Sequence, residues 1–197
     1  MQTSNEAMTS IKSQIKGALS NVHTALPGNV VSFNSGSNRA TVKPSGKFMI
    51  PDGRTMSYPV IYNVPVIFPT GAGGTAGITF PIVAGDAGLI VFSERQLEDF
   101  LHGGESEDPR THDLNDAIFI PGLYSSGATS NAGDNASTVL TCGGSTVTIN
   151  GDGITISAAG SSVIIGGGDL VCNNISLVHH VHSGVVPGSG TTGQPAG

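Results

Sequence analysis

Thr146-Val147-Thr148-Ile149-Asn150-Gly151-Asp152-Gly153-Ile154-Thr155-Ile156 is the stretch whose reading decides the fold. Polar and apolar residues alternate on both sides of a Gly-containing turn, the period of β-strands with one apolar face. Val147 and Ile149 fall on one face, and so do Ile154 and Ile156. The pattern continues outward through Thr138-Val139-Leu140 on one side. On the other it runs through Val163-Ile164-Ile165, Leu170-Val171-Cys172 and Ile175-Ser176-Leu177. The separators are Gly143-Gly144-Ser145, Ala158-Ala159-Gly160-Ser161-Ser162, Gly166-Gly167-Gly168-Asp169 and Asn173-Asn174. Strands this short do not bury a core within one chain. Rungs from three chains stacked on a shared axis do, so residues 137–178 are expected to form an intertwined trimeric β-helix or β-prism with few open edges. Asn150-Gly151-Asp152-Gly153 resembles a calcium-repeat turn, but that chemistry needs several tandem copies and the chain has one.

Composition agrees with a repetitive β architecture more than with an enzyme core. Of 197 residues, 29 are Gly and only 11% are charged, well under the usual quarter. The formal net charge of -6 argues against a nucleic-acid partner. No apolar run is long enough to span a bilayer, and no secretory signal opens the chain. Cys142 and Cys172 are the two cysteines; they make no disulfide framework and are expected to be reduced, partly buried thiols. All eight Lys and Arg lie at or before Arg110, whereas residues 126–197 hold three Asp and no Lys or Arg. Two regions under different constraints follow, joined by a Gly/Ser/Asn-rich linker at 126–136.

The region before the linker, residues 27–125, also reads as strands. Val30-Val31-Ser32-Phe33 and Ala40-Thr41-Val42-Lys43 flank Asn34-Ser35-Gly36-Ser37-Asn38, a hairpin by composition. Pro51-Asp52-Gly53 marks another turn. Val60-Ile61-Tyr62, Pro65-Val66-Ile67-Phe68, Ile78-Thr79-Phe80 and Gly88-Leu89-Ile90-Val91-Phe92 are further expected strands, with Pro59, Pro65, Pro69 and Pro81 at their ends. Five or more short strands within about seventy residues fit a small closed barrel of the OB type. Gly71 to Gly77 lacks both the Gly-Lys-Ser/Thr and the following helix of a phosphate loop and reads as a flexible loop. Ser93-Glu94-Arg95-Gln96 has the capping-box pattern, opening a short helix through Leu101 that Gly103-Gly104 stops.

Residues 1–26 form an N-terminal segment expected to be helical, with Thr9 or Ser10 as alternative starts and Gly17 weakening the middle. Met8, Ile11, Ile15, Ala18 and Val22 are spaced 3, 4, 3, 4. That is a coiled-coil seam over about two heptads, and Ile at successive seam positions leans toward trimers. An amphipathic helix packed on its own domain has the same pattern, and two heptads leave both readings open.

Three of the six histidines fall within Ser176-Leu177-Val178-His179-His180-Val181-His182-Ser183. In an extended strand His180 and His182 point one way and His179 the other. Two imidazoles are too few for a closed metal site in one chain. Three copies around a threefold axis would bring six imidazole nitrogens to one point, a set that suits iron or nickel better than structural zinc. The stretch after His182 is disordered by composition, or a narrow cap of small residues if it follows a three-chain metal site. The one other group with acid–base capability is His102, His112, Asp113 and Asp116, which reads as solvated loop side chains; no Ser or Cys sits in a nucleophile motif.

The order of these motifs carries a resemblance. Val64-Pro65-Val66-Ile67-Phe68-Pro69, Thr79-Phe80-Pro81-Ile82-Val83-Ala84-Gly85-Asp86-Ala87-Gly88-Leu89-Ile90-Val91-Phe92-Ser93, His112-Asp113-Leu114 and Ala117-Ile118-Phe119-Ile120-Pro121-Gly122-Leu123 come first. A Gly-rich β region and His180-Val181-His182-Ser183-Gly184-Val185 with Pro187-Gly188-Ser189-Gly190 follow. From about residue 27 to 192 the chain resembles the central spike, or cell-puncturing tip, of a contractile phage tail baseplate of the short Mu-like kind. The resemblance implies a non-enzymatic homotrimer in the virion, assembled in the host cytoplasm. It implies an OB-fold collar at 27–125 that meets baseplate hub or tail-tube proteins. It also implies a trimeric β-helix and an apex at 179–197 where His180 and His182 of each chain bind one shared iron ion. His179 is not carried over. The implied role is mechanical: sheath contraction drives the apex through the host outer membrane. A tail-fibre or adhesin-type surface-binding module is the alternative, and a hydrolase rests only on the group at 102–116.

Overall fold

The computed structural model describes residues 2–20, 22–50, 53–124, 136–184, 186 and 188. Its residues fall into two compact units. The linker expected at 126–136 apart from Ala136, the turn residues Pro51 and Asp52, and most of the stretch after Gly184 lie outside the described residues.

The first unit opens with helix α1, Gln2–Ser20. Neither alternative start is used: Thr9 lies inside the helix, its hydroxyl donating to the Asn5 carbonyl at 2.7 Å. Every described side chain from Asn5 to Leu19 is exposed, including Met8, Ile11, Ile15 and Leu19 at 52–65%. The seam is therefore uncovered in the single chain, which removes the reading that it packs on its own domain.

Strands β1 (Ala25–Asn34), β2 (Arg39–Pro44), β3 (Lys47–Met49), β4 (Thr55–Ser57) and β5 (Ile61–Pro65) follow. Then come β6 (Thr70–Gly71), β7 (Ala76–Gly77), β8 (Ala87–Phe92), the short helix α2 (Glu98–Leu101) and β9 (Ala117–Pro121). The main sheet has the order β5-β2-β1-β8-β9, all neighbours antiparallel. The expected 34–38 hairpin joins β1 to β2, with the Asn34 side chain accepting from the Gly36 and Ser37 amides. Val31 is a bulge residue that lets β1 bend. The two ends of the sheet meet where Val66, just past β5, bridges in parallel to Phe119 of β9 and the Ile67 amide donates to the Phe119 carbonyl at 3.0 Å. This curls the sheet into a half-barrel in the manner of an OB fold.

Strict alternation fills the barrel. β2 and β8 bury every second residue, and Val30, Val42, Ile61, Val64, Val66, Ile82, Ile90, Phe92 and Phe119 make one core. Gly88 admits the Phe119 ring against its Cα: an added Cβ would meet that ring and lie 2.5 Å from the Ile120 carbonyl oxygen. Gly88→Ala is therefore expected to destabilise this unit by about 1–3 kcal/mol, an overpacking cost, read as a lower unfolding midpoint in denaturant.

Four local expectations fail, each for an identifiable reason. Beyond Pro65, which ends β5, Val66-Ile67-Phe68 contributes one bridge, and Ile78-Thr79-Phe80 joins no strand; Pro65, Pro69 and Pro81 supply no amide to extend a ladder there. Gly71 to Gly77 is an ordered miniature hairpin, β6 with β7, around one 3-10 turn. Ser93 does not cap a helix. Its amide is spent on the Asp116 carbonyl at 2.8 Å, and α2 begins only at Glu98, where the Gln96 side chain accepts from the Asp99 amide.

The second unit is an antiparallel meander of β10 (Thr138–Cys142), β11 (Ser145–Asn150), β12 (Gly153–Ala158), β13 (Ser161–Gly166), β14 (Asp169–Cys172) and β15 (Ile175–Ser176). The register stacks Leu140, Val147, Ile156, Val163, Cys172 and Ile175 across the sheet, and Ile149, Ile154, Ile165 and Leu170 beside them. Directly paired residues share a face, so these ten side chains make one continuous apolar surface. Thr141, Thr146, Thr148, Thr155, Ser157 and Ser162 occupy the opposite face, together with Val139, Ile164 and Val171. Among the described residues of this unit none is buried. Cys142 and Cys172, expected to be partly buried, are exposed and unpaired, and no described residue covers that face.

Candidate metal centre

The stretch that carries His180 and His182 leaves the meander at its last strand. Asn173 and Asn174, both with positive φ, close the hairpin between β14 and β15. Their side-chain amides tolerate that left-handed conformation. Beyond Ser176 the extended strand expected through the histidines gives way to a turn over Leu177–His179, then an irregular His180-Val181-His182. Backbone bonds shape the turn: the Leu177 amide donates to the Leu170 carbonyl at 2.8 Å and the His180 amide to the Ser176 carbonyl at 3.2 Å.

Side chains reinforce it. Asp169 Oδ1 accepts from the Leu170 amide at 2.7 Å and the Val178 amide at 3.2 Å. Ser176 Oγ accepts from the His179 amide at 2.7 Å. The Ser176 hydroxyl, aided by the Val178 and Leu170 amides and the His179 imidazole, holds the Asp169 carboxyl below its ordinary 3.8 against the opposing effect of burial.

The turn sets the state of the His180 ring. Its Nδ1 lies 2.9 Å from the Ser176 carbonyl oxygen and 3.2 Å from that of Leu177. Carbonyls only accept, so Nδ1 carries the proton and Nε2 keeps its lone pair. That is the arrangement of a metal-binding imidazole, whose other nitrogen donates to a backbone carbonyl. The His182 ring stands edge-on to it, centroids 5.1 Å apart, so the two imidazoles of the pair do approach one another. Among the described residues no group of three or more His, Cys, Asp or Glu gathers in one chain. The donor types present, two exposed imidazoles of which one has its Nδ1 held by backbone carbonyls, are ones that iron accepts.

Of the group at 102–116, His102, Asp113 and Asp116 are engaged by local structural partners, whereas His112 Nδ1 is buried with no hydrogen-bond partner among the described residues. His102 is exposed and its Nδ1 donates to the Glu98 carbonyl at 2.8 Å. Asp113 accepts from its neighbour Asn115, through both amide nitrogens. Asp116, 2% exposed, accepts from the Leu97 amide at 2.9 Å and pairs with Arg110 Nε at 3.0 Å. Its work is to hold the chain between β8 and β9 against the barrel. Neither this pair nor Asp169 and Ser176 lies in a recognisable local motif.

Comparison with known families places both units. Residues 26–122 match the family described as Phage protein Gp138 N-terminal domain. Residues 174–196 match the family described as GpV Apex motif, which spans His180 and His182. No curated protein matches the chain.

Proposed function

Since the chain is a phage tail baseplate spike protein that punctures the host from the tail tip of the virion, we propose that three copies form the working spike and share one iron ion at its point. The observation that carries this is the uncovered apolar face of the meander. Ten side chains, Leu140 to Ile175, are left exposed or half-buried by a single chain, and a monomer does not keep so large a patch open. Three such faces turned toward a common axis cover one another and remove the open problem of the two free cysteines at once. The uncovered seam of α1, Met8-Ile11-Ile15, suits the same symmetry, since Ile at successive seam positions favours three strands.

The Thr- and Ser-rich opposite faces then form the outside of a β-prism, with neighbouring edges bonded between copies. Such a rod has no single weak element along its length. At its end His180 and His182 of each copy hold the iron, which ties the three chains together where no strand pairing reaches. Few charged groups at the leading end lower the cost of leaving water for lipid, as passage through an outer membrane requires. The half-barrels make the collar for baseplate hub or tail-tube proteins. The work is mechanical and involves no turnover.

Native mass spectrometry with elemental analysis tests this on the purified protein. The expected result is a three-chain species with one iron. A folded monomer or dimer, or one metal per chain, would contradict it.

A further inference from the structure

We propose that Asp169 and Ser176 are positioning residues for His180: together they fix the turn that presents its Nε2 with the lone pair outward. The inference rests on the iron reading above but stands on contacts within one chain. Asp169 sits at the start of β14 and Ser176 at the end of β15, so the hairpin brings them side by side although seven positions separate them. The Asp169 carboxylate clamps the Val178 amide and Ser176 Oγ clamps the His179 amide, one after the other along the turn. These bonds aim the Ser176 and Leu177 carbonyls at a single atom, His180 Nδ1. Without the clamps the turn relaxes, Nδ1 loses its acceptors, and the imidazole is free to take either tautomer. The Nε2–H tautomer presents N–H where a lone pair is needed. His182 has no comparable brace among the described residues, so His180 is the donor the fold organises and His182 the one that adapts.

The test compares the full chain with Asp169→Ala, Ser176→Ala and Ser176→Thr. Native mass spectrometry first establishes that each variant assembles as the parent does. In metal-free protein, imidazole nitrogen chemical shifts should report His180 as the Nδ1–H tautomer in the parent and in Ser176→Thr. A tautomer mixture is expected in the two Ala variants. Competition of iron(II) against a chelator should show affinity lower by about 10–100-fold in the Ala variants, the usual cost of removing an outer-sphere partner, and restored by Thr. An unchanged tautomer in both Ala variants would overturn the proposal, and so would a parent with the proton on Nε2. Iron failing to bind the parent would sink the metal reading alone, because the tautomer comparison still decides the brace.

Discussion

Ile156→Asp is expected to abolish assembly of the rod. Ile156 lies in the middle of the meander, flanked across the ladder by Val147 and Val163 on the continuous apolar face. If three such faces meet on an axis, the substitution places three carboxylates there with no Lys or Arg in the unit to pair with them. Each unpaired buried charge costs several kcal/mol, and threefold symmetry multiplies the cost. Sedimentation of the variant should show loss of the three-chain species and gain of aggregate or unfolded chain. Thr155→Asp, one residue away but on the opposite face, is expected to cost about 1 kcal/mol from the poor strand propensity of Asp and to leave assembly intact. Equal tolerance of the two substitutions would mean that the apolar face is not the buried one.

His180→Ala with His182→Ala should remove iron completely while leaving three chains together, since the strands below hold them. His179→Ala should keep the metal, because His179 contributes its amide to the Ser176 clamp and stands outside the pair. Acid should act in two separate windows. Ligating imidazoles must be deprotonated, so protons compete for the donors and iron is released as pH falls. Asp169 titrates later. Its carboxyl is held below 3.8 in the folded chain, chiefly by the Ser176 hydroxyl, so its contribution to the turn is fully present above that value. The contribution is lost only as pH falls through the lower folded value. Metal release, followed by iron analysis after buffer exchange, should therefore precede loss of the turn, followed by the amide signals of Val178 and His179. Simultaneous loss of both would contradict the separation.

The strands were legible because period 2 is hard to disguise. Thr146-Val147-Thr148-Ile149 and Ile154-Thr155-Ile156 fall in β11 and β12, and the missing intrachain core was visible in their length. The barrel strands β1, β2 and β8 were legible for the same reason. What the local sequence concealed depended on partners far along the chain. Ser93-Glu94-Arg95-Gln96 has a helix-start pattern, but the Ser93 amide is claimed by Asp116 and so is that of Leu97. Val66-Ile67-Phe68 has strand-like residues, yet bounding prolines leave one bridge. At the metal centre the His180/His182 pair was visible as H-x-H. The clamps on it were not, because Asp169 appears in the sequence as the end of a Gly-rich separator and Ser176 as an ordinary polar strand position. An acceptor just before a β14–β15 hairpin, paired with a hydroxyl at its far end, was the available signal.

The most direct test of the shared-iron spike is a crystal structure of the full chain with anomalous diffraction recorded at the iron edge. The account predicts a single anomalous peak on a threefold axis, bonded to His180 and His182 of each of three chains, with the Leu140-to-Ile175 faces turned inward beneath it. His180 turned away from the axis, or a separate metal in every chain, would contradict it.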